Sequence, residues 1–483
     1  MNIWRIIVFN IFFGLIISNA QNKQVLYDFY EVPQALMLNP GMKTPYKWHT
    51  GIPLLSGTSV QAGTSGISVN DIFANDGIDI TIKVREKAIN GLNQNDDFGG
   101  SAQIELFNVG FRNGNSPSDY YSFGAYGEGF ATVYWPRDLA VLAFEGNANN
   151  IGRRFNLDQL VSQGEAVSVF YFGLNRKLNN KWTVGARAKL YSSIFEFKST
   201  NNDGYFVTTP GENNLLRNTL VADVTVKTSG IEGIYDVLDE DTITTQDDIT
   251  ALLLKRALLG GNLGLGFDVG FTHSLDPNTI ITASLLDVGF IYHTGDIKNY
   301  TLKGAATNEG IEIILPEDFG NLNDEIWQEL VDDIEAQIPY ETNSQSYISS
   351  RPTKLYASFR RNFGEPKLRA QDCDCDTAPA LKTDTFDYLN AYGAQFFAIH
   401  RPRGPQMALT AFYQRRLGSI LAVKTTYTLD KYSLGNIGFG LNLQAGPVNF
   451  YIMADNLLGY RNVPNSRYAS LQFGFNIISW NGN

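Results

Sequence analysis

Alternation of apolar and polar residues over long stretches is the feature of this 483-residue sequence that most limits its fold. In residues 469–477 the odd positions are apolar and the even positions are polar or glycine. Side chains of a strand point alternately to its two faces, so this run predicts a β-strand with one apolar and one polar face. Trp480 follows it, where an interfacial aromatic residue belongs. The pattern recurs at 183–190, 263–270, 406–414, 437–445 and 448–455.

The length of these runs favours strands that cross a bilayer, which needs about 9–11 residues. A soluble β-sandwich also alternates, but its strands average about five or six residues. Arg187, Lys189 and Asp268 stand on the polar faces. Charges there suit a wet lumen better than a dry core. We therefore predict a transmembrane antiparallel β-barrel, with the sandwich as the alternative.

The connections support the same fold, because long and short gaps alternate along the first eight strands. Short turns such as 179–180 and 276–278 follow most even-numbered strands. Outer-membrane barrels have short periplasmic turns and long outer loops, so both termini are expected in the periplasm. Residues 364–386 break this rule, so either a strand is miscounted or this turn is special. The predicted strands, about fourteen, are 57–70, 101–112, 119–131, 165–178, 181–198, 262–275, 278–293, 351–363, 387–400, 405–417, 419–430, 433–446, 447–456 and 468–480.

The first twenty residues resemble an export signal. Arg5 precedes an apolar run over 6–17, and the small residues of 18–20 offer a cleavage site. This layout predicts a signal peptide over 1–20. An N-terminal membrane anchor is the alternative, although the run is short for a spanning helix.

Two outer loops contain helical patterns. In the first, Thr245 is placed as the N-cap with Asp248 three residues later, and Gly260 stands where a helix should end. In the second, apolar residues recur at helical spacing over 326–338, and Pro339 stops the pattern. We expect two helical extracellular loops.

Composition limits the function classes. Only 18% of residues are charged, below the quarter that is usual in soluble proteins. The net charge of −11 argues against nucleic acid as a partner. Neither Gly-Xaa-Ser-Xaa-Gly nor a phosphate loop is present. We expect a non-enzymatic protein without a cofactor, and we assign no catalytic, cofactor-binding or metal residue.

Two acidic clusters leave alternatives open. Cys373 and Cys375 flank an aspartate and could hold a divalent metal, form a strained disulfide, or lie in a solvated acidic turn. Residues 309–341 carry many carboxylates and no Lys or Arg. They could bind a cation, form the solvated face of a surface helix, or offer an acidic docking surface.

Three basic clusters lie near strand ends. Residues 400–404 are expected at the outer face, and Arg415-Arg416 and Arg360-Arg361 near the periplasmic face. Arginine pairs well with phosphate, so one interpretation is that these residues contact lipid phosphates or lipopolysaccharide. The alternative interpretation is ordinary snorkelling, in which the long side chains extend to the membrane interface.

The segment Leu38-Asn39-Pro40-Gly41 resembles the Asn-Pro-Ala signature of FadL-type barrels, with Gly41 in place of alanine. That resemblance implies fourteen strands, an N-terminal hatch or plug over 21–56 and a barrel over 57–483. It also implies a transport channel for hydrophobic compounds.

Nearly the whole mature chain is similar to an uncharacterised Bacteroidota outer-membrane barrel family akin to PorP/SprF-type proteins. The stretches that carry this resemblance are Gly264–Gly270, Leu285–Phe290 and Asn449–Gly459. It implies a role in type IX secretion, or in anchoring cell-surface proteins. Our main expectation is thus an accessory barrel of the cell outer membrane, in contact with its lipid and with a surface or secreted protein. A FadL-like channel with a hydrophobic ligand is the alternative.

Overall fold

The structure is a computed structural model that describes residues 23–212, 215–239, 245–309, 340–364, 369–370, 381–382 and 388–480. Fourteen antiparallel wall strands form one closed barrel, as predicted. The first wall strand pairs with the last, with Tyr46 opposite Trp480 and Thr58 opposite Phe473. Among the described helices, none is long and apolar enough to cross a membrane.

The strands are numbered here in chain order. They are β1 (Tyr46–Gly51), β2 (Thr58–Thr64), β3 (Asp97–Arg112), β4 (Asp119–Tyr134), β5 (Arg154–Asn156), β6 (Ser162–Lys177), β7 (Trp182–Pro210), β8 (Leu216–Ser229), β9 (Asn262–Ser274), β10 (Thr279–His293), β11 (Asn299–Glu309), β12 (Tyr340–Asn343), β13 (Tyr347–Ser350), β14 (Lys354–Phe363), β15 (Arg369–Ala370), β16 (Leu381–Lys382), β17 (Asn390–Ile399), β18 (Gln406–Leu417), β19 (Leu421–Leu429), β20 (Asn436–Ala445), β21 (Val448–Asp455) and β22 (Tyr468–Trp480). In the wall, β1 and β2 together make one interrupted strand, as do β13 and β14.

All fourteen predicted wall strands are present. No strand is miscounted at the long turn, because β14 pairs directly with β17. The two strand ends that the turn joins therefore lie on the same side of the barrel as residues 46 and 480. β1 falls within the predicted hatch, so the part of 21–56 that precedes the wall ends at residue 45.

The outer face of the wall is apolar. Leu263, Leu265, Phe267 and Val269 on β9 are 46%, 59%, 49% and 40% exposed, whereas Asp268 between them is fully buried. Aromatic side chains are exposed near both ends of the strands, with Trp48, Trp182 and Tyr392 at the end near residues 46 and 480, and Phe290, Tyr292 and Tyr427 toward the other end. An apolar band flanked by aromatic residues is the surface of an outer-membrane barrel, and this chain is one.

A second module projects from the outer end of the barrel. β7 runs for 29 residues and continues past the wall, where β5, β8, β11 and β12 extend it into a sheet. Phe155 and Phe206 from this sheet pack with Val141 and Leu142 of a helix in a core of their own. The module therefore has an apolar core separate from the lumen.

The described α-helices lie outside the wall. They are α1 (Val69–Phe73), α2 (Ile80–Lys83), α3 (Arg137–Glu145), α4 (Glu232–Asp239) and α5 (Thr245–Lys255), with π-type turns at Val84–Ile89 and Arg256–Gly260 and 3-10 turns at Ala148–Asn150, Leu157–Gln159 and Gly459–Asn465. A further 3-10 turn, Pro33–Met37, lies inside the barrel. The first predicted loop helix is thus confirmed as α5. The second predicted helix, at 326–338, lies outside the described residues, and so does the predicted signal peptide.

Candidate functional site

Residues 23–45, called here the inner segment, lie inside the barrel. Residues 24–42 are all buried. Leu26, Phe29 and Leu36 belong to an apolar cluster that also contains Phe397 and Met453 of the wall. Burying one such side chain stabilises the fold by about 1.5–3 kcal/mol, so the inner segment is firmly packed against this wall.

Wall side chains also bind the backbone of the inner segment. Arg187 donates hydrogen bonds to the carbonyl oxygens of Leu36 (2.6 Å) and Met37 (3.2 Å). Other donors, each with its acceptor carbonyl, include Asn175 with Pro40 and Met42, Ser284 with Leu38, Arg360 with Asp28, Gln395 and Lys424 with Tyr27, Arg112 with Thr44, and Asn449 with Glu31. Buried irregular backbone requires such partners, and the wall supplies them.

The Asn-Pro-Gly motif is anchored between two wall strands. The Asn39 side chain donates to the carbonyl oxygen of Phe271 (3.2 Å) and accepts from the Gly41 amide (2.9 Å). A Cβ on Gly41 would lie 2.2 Å from the carbonyl oxygen of Gly270, and one on Gly185 would lie 1.9 Å from that of Pro40. The departure from alanine at this position therefore has a steric cause.

Charged side chains form a buried network beside the inner segment. Arg187 contacts Asp268 (3.2 Å), and Lys189 bridges Asp268 (2.9 Å) and Asp287 (2.6 Å). Lys354 continues the network from Asp287 (2.9 Å). The predicted inward orientation of Arg187, Lys189 and Asp268 is confirmed, but these charges are paired with each other inside a filled lumen.

Five members of the network were not predicted from sequence, namely Asp287, Lys354, Glu128, Arg351 and Glu165. Glu128 on β4 contacts Lys354 (3.0 Å) and Arg351 (3.2 Å), and Arg351 also pairs with Glu165. The network thereby links strands on both sides of the lumen. The available sequence signal was the inward position of Glu128 in an alternating segment.

Little empty space remains at this level. A cavity of about 40 Å³ lies among Lys23, Gln103, Glu128 and Lys354. This volume accommodates a few water molecules and no larger solute. A groove of about 590 Å³ lies outside the lumen, between the β19–β20 and β21–β22 loops.

The wall bulges beside the inner segment, where only a few backbone hydrogen bonds, to Phe475 of β22 and Glu105 of β3, hold the chain between β1 and β2. Gly51 stands opposite Asn476 and Thr58 opposite Phe473, so residues 52–57 stand opposite only two residues of β22. We call residues 52–57 the wall break. Its apolar residues Ile52, Leu54 and Leu55 are 36%, 56% and 47% exposed on the outside.

The inner segment holds the two sides of the wall break together. Gln34, which is buried, donates to Glu105 on β3 (3.1 Å) and to Asn476 on β22 (2.7 Å). Ser56 in the wall break also donates to Glu105 (2.7 Å). One inner-segment side chain thus connects both strands that flank the interruption.

The three basic clusters divide between buried and exposed arginines. Arg401 is buried at the outer mouth, while Arg360 and Arg416 are buried at the other end of the barrel. Arg416 contacts Glu31 of the inner segment (3.3 Å). These buried arginines bind protein groups, so lipid phosphate remains a candidate only for exposed neighbours such as Arg361 and Arg415.

Folding also brings together a serine, a histidine and a glutamate that sequence spacing did not reveal. Ser229 Oγ lies 2.6 Å from His293 Nδ1, and His293 Nε2 lies 2.7 Å from Glu196. All three are fully buried, and Ser349 shares the same imidazole (2.9 Å). A nucleophile must reach its substrate, and Ser229 is enclosed here. The cluster fastens four strands and forms no accessible active site.

Other predicted features lie outside the described residues. These are Cys373 and Cys375 and most of the acidic stretch 309–341.

The chain matches one family model and is similar in fold to several solved structures. A family model described as "Family of unknown function (DUF5723)" matches residues 40–455. No curated protein matches the sequence. Among solved structures, the Ralstonia pickettii toluene transporter TbuX is 10% identical with a TM-score of 0.39, covering 92% of each chain. A Pseudomonas aeruginosa FadL homologue is 9% identical with a TM-score of 0.40, covering 96% of this chain and 98% of its own. Likeness at this level supports no inference about cargo.

Proposed function

We propose that this chain, which belongs to the DUF5723 family of unknown function, is a gated outer-membrane channel for small hydrophobic compounds. Cargo would leave the lumen sideways, through the wall break at residues 52–57. This was the alternative expectation from sequence. The resemblance to PorP/SprF-type proteins, with an origin in Bacteroidota, stays a prediction.

One observation carries the proposal, namely an interrupted wall beside a filled lumen. The inner segment blocks the straight path toward the periplasm, since residues 24–42 are all buried. At the same level, six residues of the wall break stand opposite two of β22. Backbone hydrogen bonds still join the wall break to Phe475 of β22 and Glu105 of β3, but they are fewer per residue than in a regular ladder. The wall break could therefore part at the cost of fewer backbone hydrogen bonds than a regular stretch of the wall.

A sideways exit selects for apolar cargo. Moving a polar group into hydrocarbon without a partner costs several kcal/mol, whereas apolar surface gains roughly 25 cal/mol per Å² on leaving water. Ile52, Leu54 and Leu55 would line the outer side of such an exit. The chemistry of this route thus supports hydrophobic compounds over sugars or ions.

Gln34 supports a gated exit over a permanent one. Its hydrogen bonds to Glu105 and Asn476 join the two strands that flank the wall break. A shift of the inner segment would remove these bonds and free both strands. Plug movement and opening of the wall would then be coupled.

The test is to repair the wall. Deleting residues 52–55 leaves Ser56 and Gly57 opposite two residues of β22, so the register with β22 becomes regular. Toward β3 a mismatch of one residue remains, which a single bulge absorbs. Uptake of the hydrophobic probe N-phenyl-1-naphthylamine by cells that carry the deletion should fall to the level of cells without the protein. Heat-modifiable gel mobility checks that the barrel is folded.

The matched control removes four exposed residues, 461–464, from the β21–β22 loop. It should keep the parent's probe uptake. Unchanged uptake after deletion of 52–55 would overturn the sideways exit, and entry of a hydrophilic probe through the parent would indicate a general pore instead.

A second candidate function rests on the projecting module. Its sheet and helices extend beyond what a barrel needs to close, and such a surface suits a protein partner. The accessory or anchoring role expected from sequence, including one in type IX secretion, would use it. Loss of a specific surface protein on gene deletion would support this role, and an unchanged surface proteome would contradict it.

A further inference from the structure

We propose that the outer mouth carries a second closure, separate from the inner segment, in which the β17–β18 and β19–β20 loops are fastened across the barrel. The fastening group, called here the outer latch, consists of Asp97, Gln406, Lys431 and Tyr432. This inference does not depend on the identity of the cargo.

Asp97 is the centre of the outer latch. It is the first residue of β3, is fully buried, and accepts hydrogen bonds from Tyr432 (3.0 Å) and Gln406 (3.1 Å). The Lys431 ammonium binds its other oxygen, which Ser65 also contacts (3.1 Å). A buried carboxylate with this many donors is strongly held, because charge-assisted bonds are stronger than neutral ones.

The latch partners of Asp97 come from strands far from β3 around the mouth, with Lys431 and Tyr432 between β19 and β20 and Gln406 on β18. Passing around the wall from β3, one crosses the β1–β2 strand, β22, β21, β20 and β19 before reaching β18, which carries Gln406. Six steps in a fourteen-stranded barrel is almost half its circumference. The contact therefore spans the opening.

The β17–β18 loop crosses the mouth as well. The Arg401 guanidinium lies over the ring of Phe130 on β4 (5.3 Å), and Arg401 is buried. Arg403 lies over Tyr134 (5.3 Å) and donates to the carbonyl oxygen of Asp158 (3.0 Å). An arginine over an aromatic face is attracted to it, and more strongly where the pair is desolvated, as at Arg401. Two loops thus close on β3 and β4 from the far side.

The outer latch and the inner segment use different groups. Of the residues that fasten the inner segment to the wall, none belongs to the outer latch. The small cavity beside Lys23 and Glu128 lies in the lumen, which the two closures bound at opposite ends. The structure is therefore that of a channel closed twice in series.

The experiment measures access to the lumen from outside. Gln61 on β2 contacts Ser101 inside the lumen (2.5 Å), four residues below Ser65. Gln61→Cys in a Cys373→Ser/Cys375→Ser chain would be exposed, on whole cells, to a small membrane-impermeant methanethiosulfonate. Lys431→Ala/Tyr432→Ala should speed labelling at least about tenfold, because it removes two bonds to Asp97.

Two control variants separate the effect of the outer latch from that of the loop surface and of the inner segment. Leu434→Ala changes an exposed residue of the same loop and should label as slowly as the parent. Gln34→Ala loosens the inner segment and should leave labelling from outside unchanged. Fast labelling in the parent, or equally slow labelling in the Lys431→Ala/Tyr432→Ala variant, would overturn the second closure whether or not the cargo is hydrophobic.

Discussion

Close backbone approach explains the glycine in the Asn-Pro-Gly motif and leads to a first prediction. Gly41→Ala places a methyl group 2.2 Å from the carbonyl oxygen of Gly270, so the inner segment must shift. We expect a loss of about 1–3 kcal/mol in the free energy of unfolding, measured by urea titration in detergent. Gly127→Ala, where nothing lies within 4 Å, is the control and should change little.

The buried network gives a second prediction. Lys189→Met removes the ammonium that Asp268 and Asp287 share. Each carboxylate then keeps one cationic partner, Arg187 or Lys354. Breaking a buried ion pair costs about 3–5 kcal/mol when the remaining charge is uncompensated, so a loss of up to about that size is expected. Lys303→Met is the control, because Lys303 is 71% exposed in its pair with Asp223 and should cost under about 1 kcal/mol. Equal losses in the same urea titration would mean that the buried network does not stabilise the lumen.

The turn at Asp430 gives a pH-dependent prediction. Burial raises the pKa of Asp430 to about 6 from an ordinary 3.8, so the folded protein binds this proton more tightly than the unfolded chain does. The resulting stability is present below about pH 3.8 and is lost as pH rises through about 6.

Asp430→Asn retains an acceptor for the amides of Tyr432 and Ser433 without the charge. The variant should unfold at a higher temperature than the parent at pH 7.5 and lose that advantage near pH 4, as read by heat-modifiable mobility. An advantage that is the same at both pH values would contradict this assignment.

Sequence predicted the inward charges but not their partners. Alternation places Arg187, Lys189 and Asp268 on one face, yet pairing across strands depends on register, which alternation leaves open. At Leu286 and Asp287 the β10 ladder is irregular and both side chains are buried, which strict alternation does not allow. Three charged residues of the candidate site were thus predictable from sequence, whereas the ion pairs that join them across strands were not.

At the scale of elements, the wall strands were predictable because the bilayer forces a period of two over their whole length. Strands β8 and β11 were not predicted. They lie outside the membrane, and most of their residues are only partly buried, so their faces differ little in polarity. The cross-mouth loops were missed for a similar reason, since loop contacts leave no periodic signal.

The separate core of the projecting module leads to a fourth prediction. Phe206→Ala removes a buried ring from that core at a cost of about 3–5 kcal/mol. Limited proteolysis should then cut within the module while heat-modifiable mobility of the barrel persists. Tyr235→Ala, at a 68% exposed site, should not increase cleavage. Simultaneous loss of the barrel would show that the module and wall fold as one unit.

At the scale of the whole molecule, two closures in series predict how conductance responds to removing each. In planar bilayers, deletion of residues 23–45 alone and Lys431→Ala/Tyr432→Ala alone should each remain nearly silent. The combined variant should conduct at least about tenfold more than either, because both barriers must be absent for ions to pass. If deletion of 23–45 alone conducts as well as the combination, the mouth is not closed.

The pairing of Tyr46 with Trp480 joins the two ends of the wall, and Tyr46 directly follows the inner segment. The seam of the cylinder therefore lies beside the point where the plug enters it. Gln34 of the plug also holds Asn476, a residue of the strand that completes the seam. The plug is thus part of the fastening of the cylinder, and a chain without it would close on a seam that has lost one of its partners.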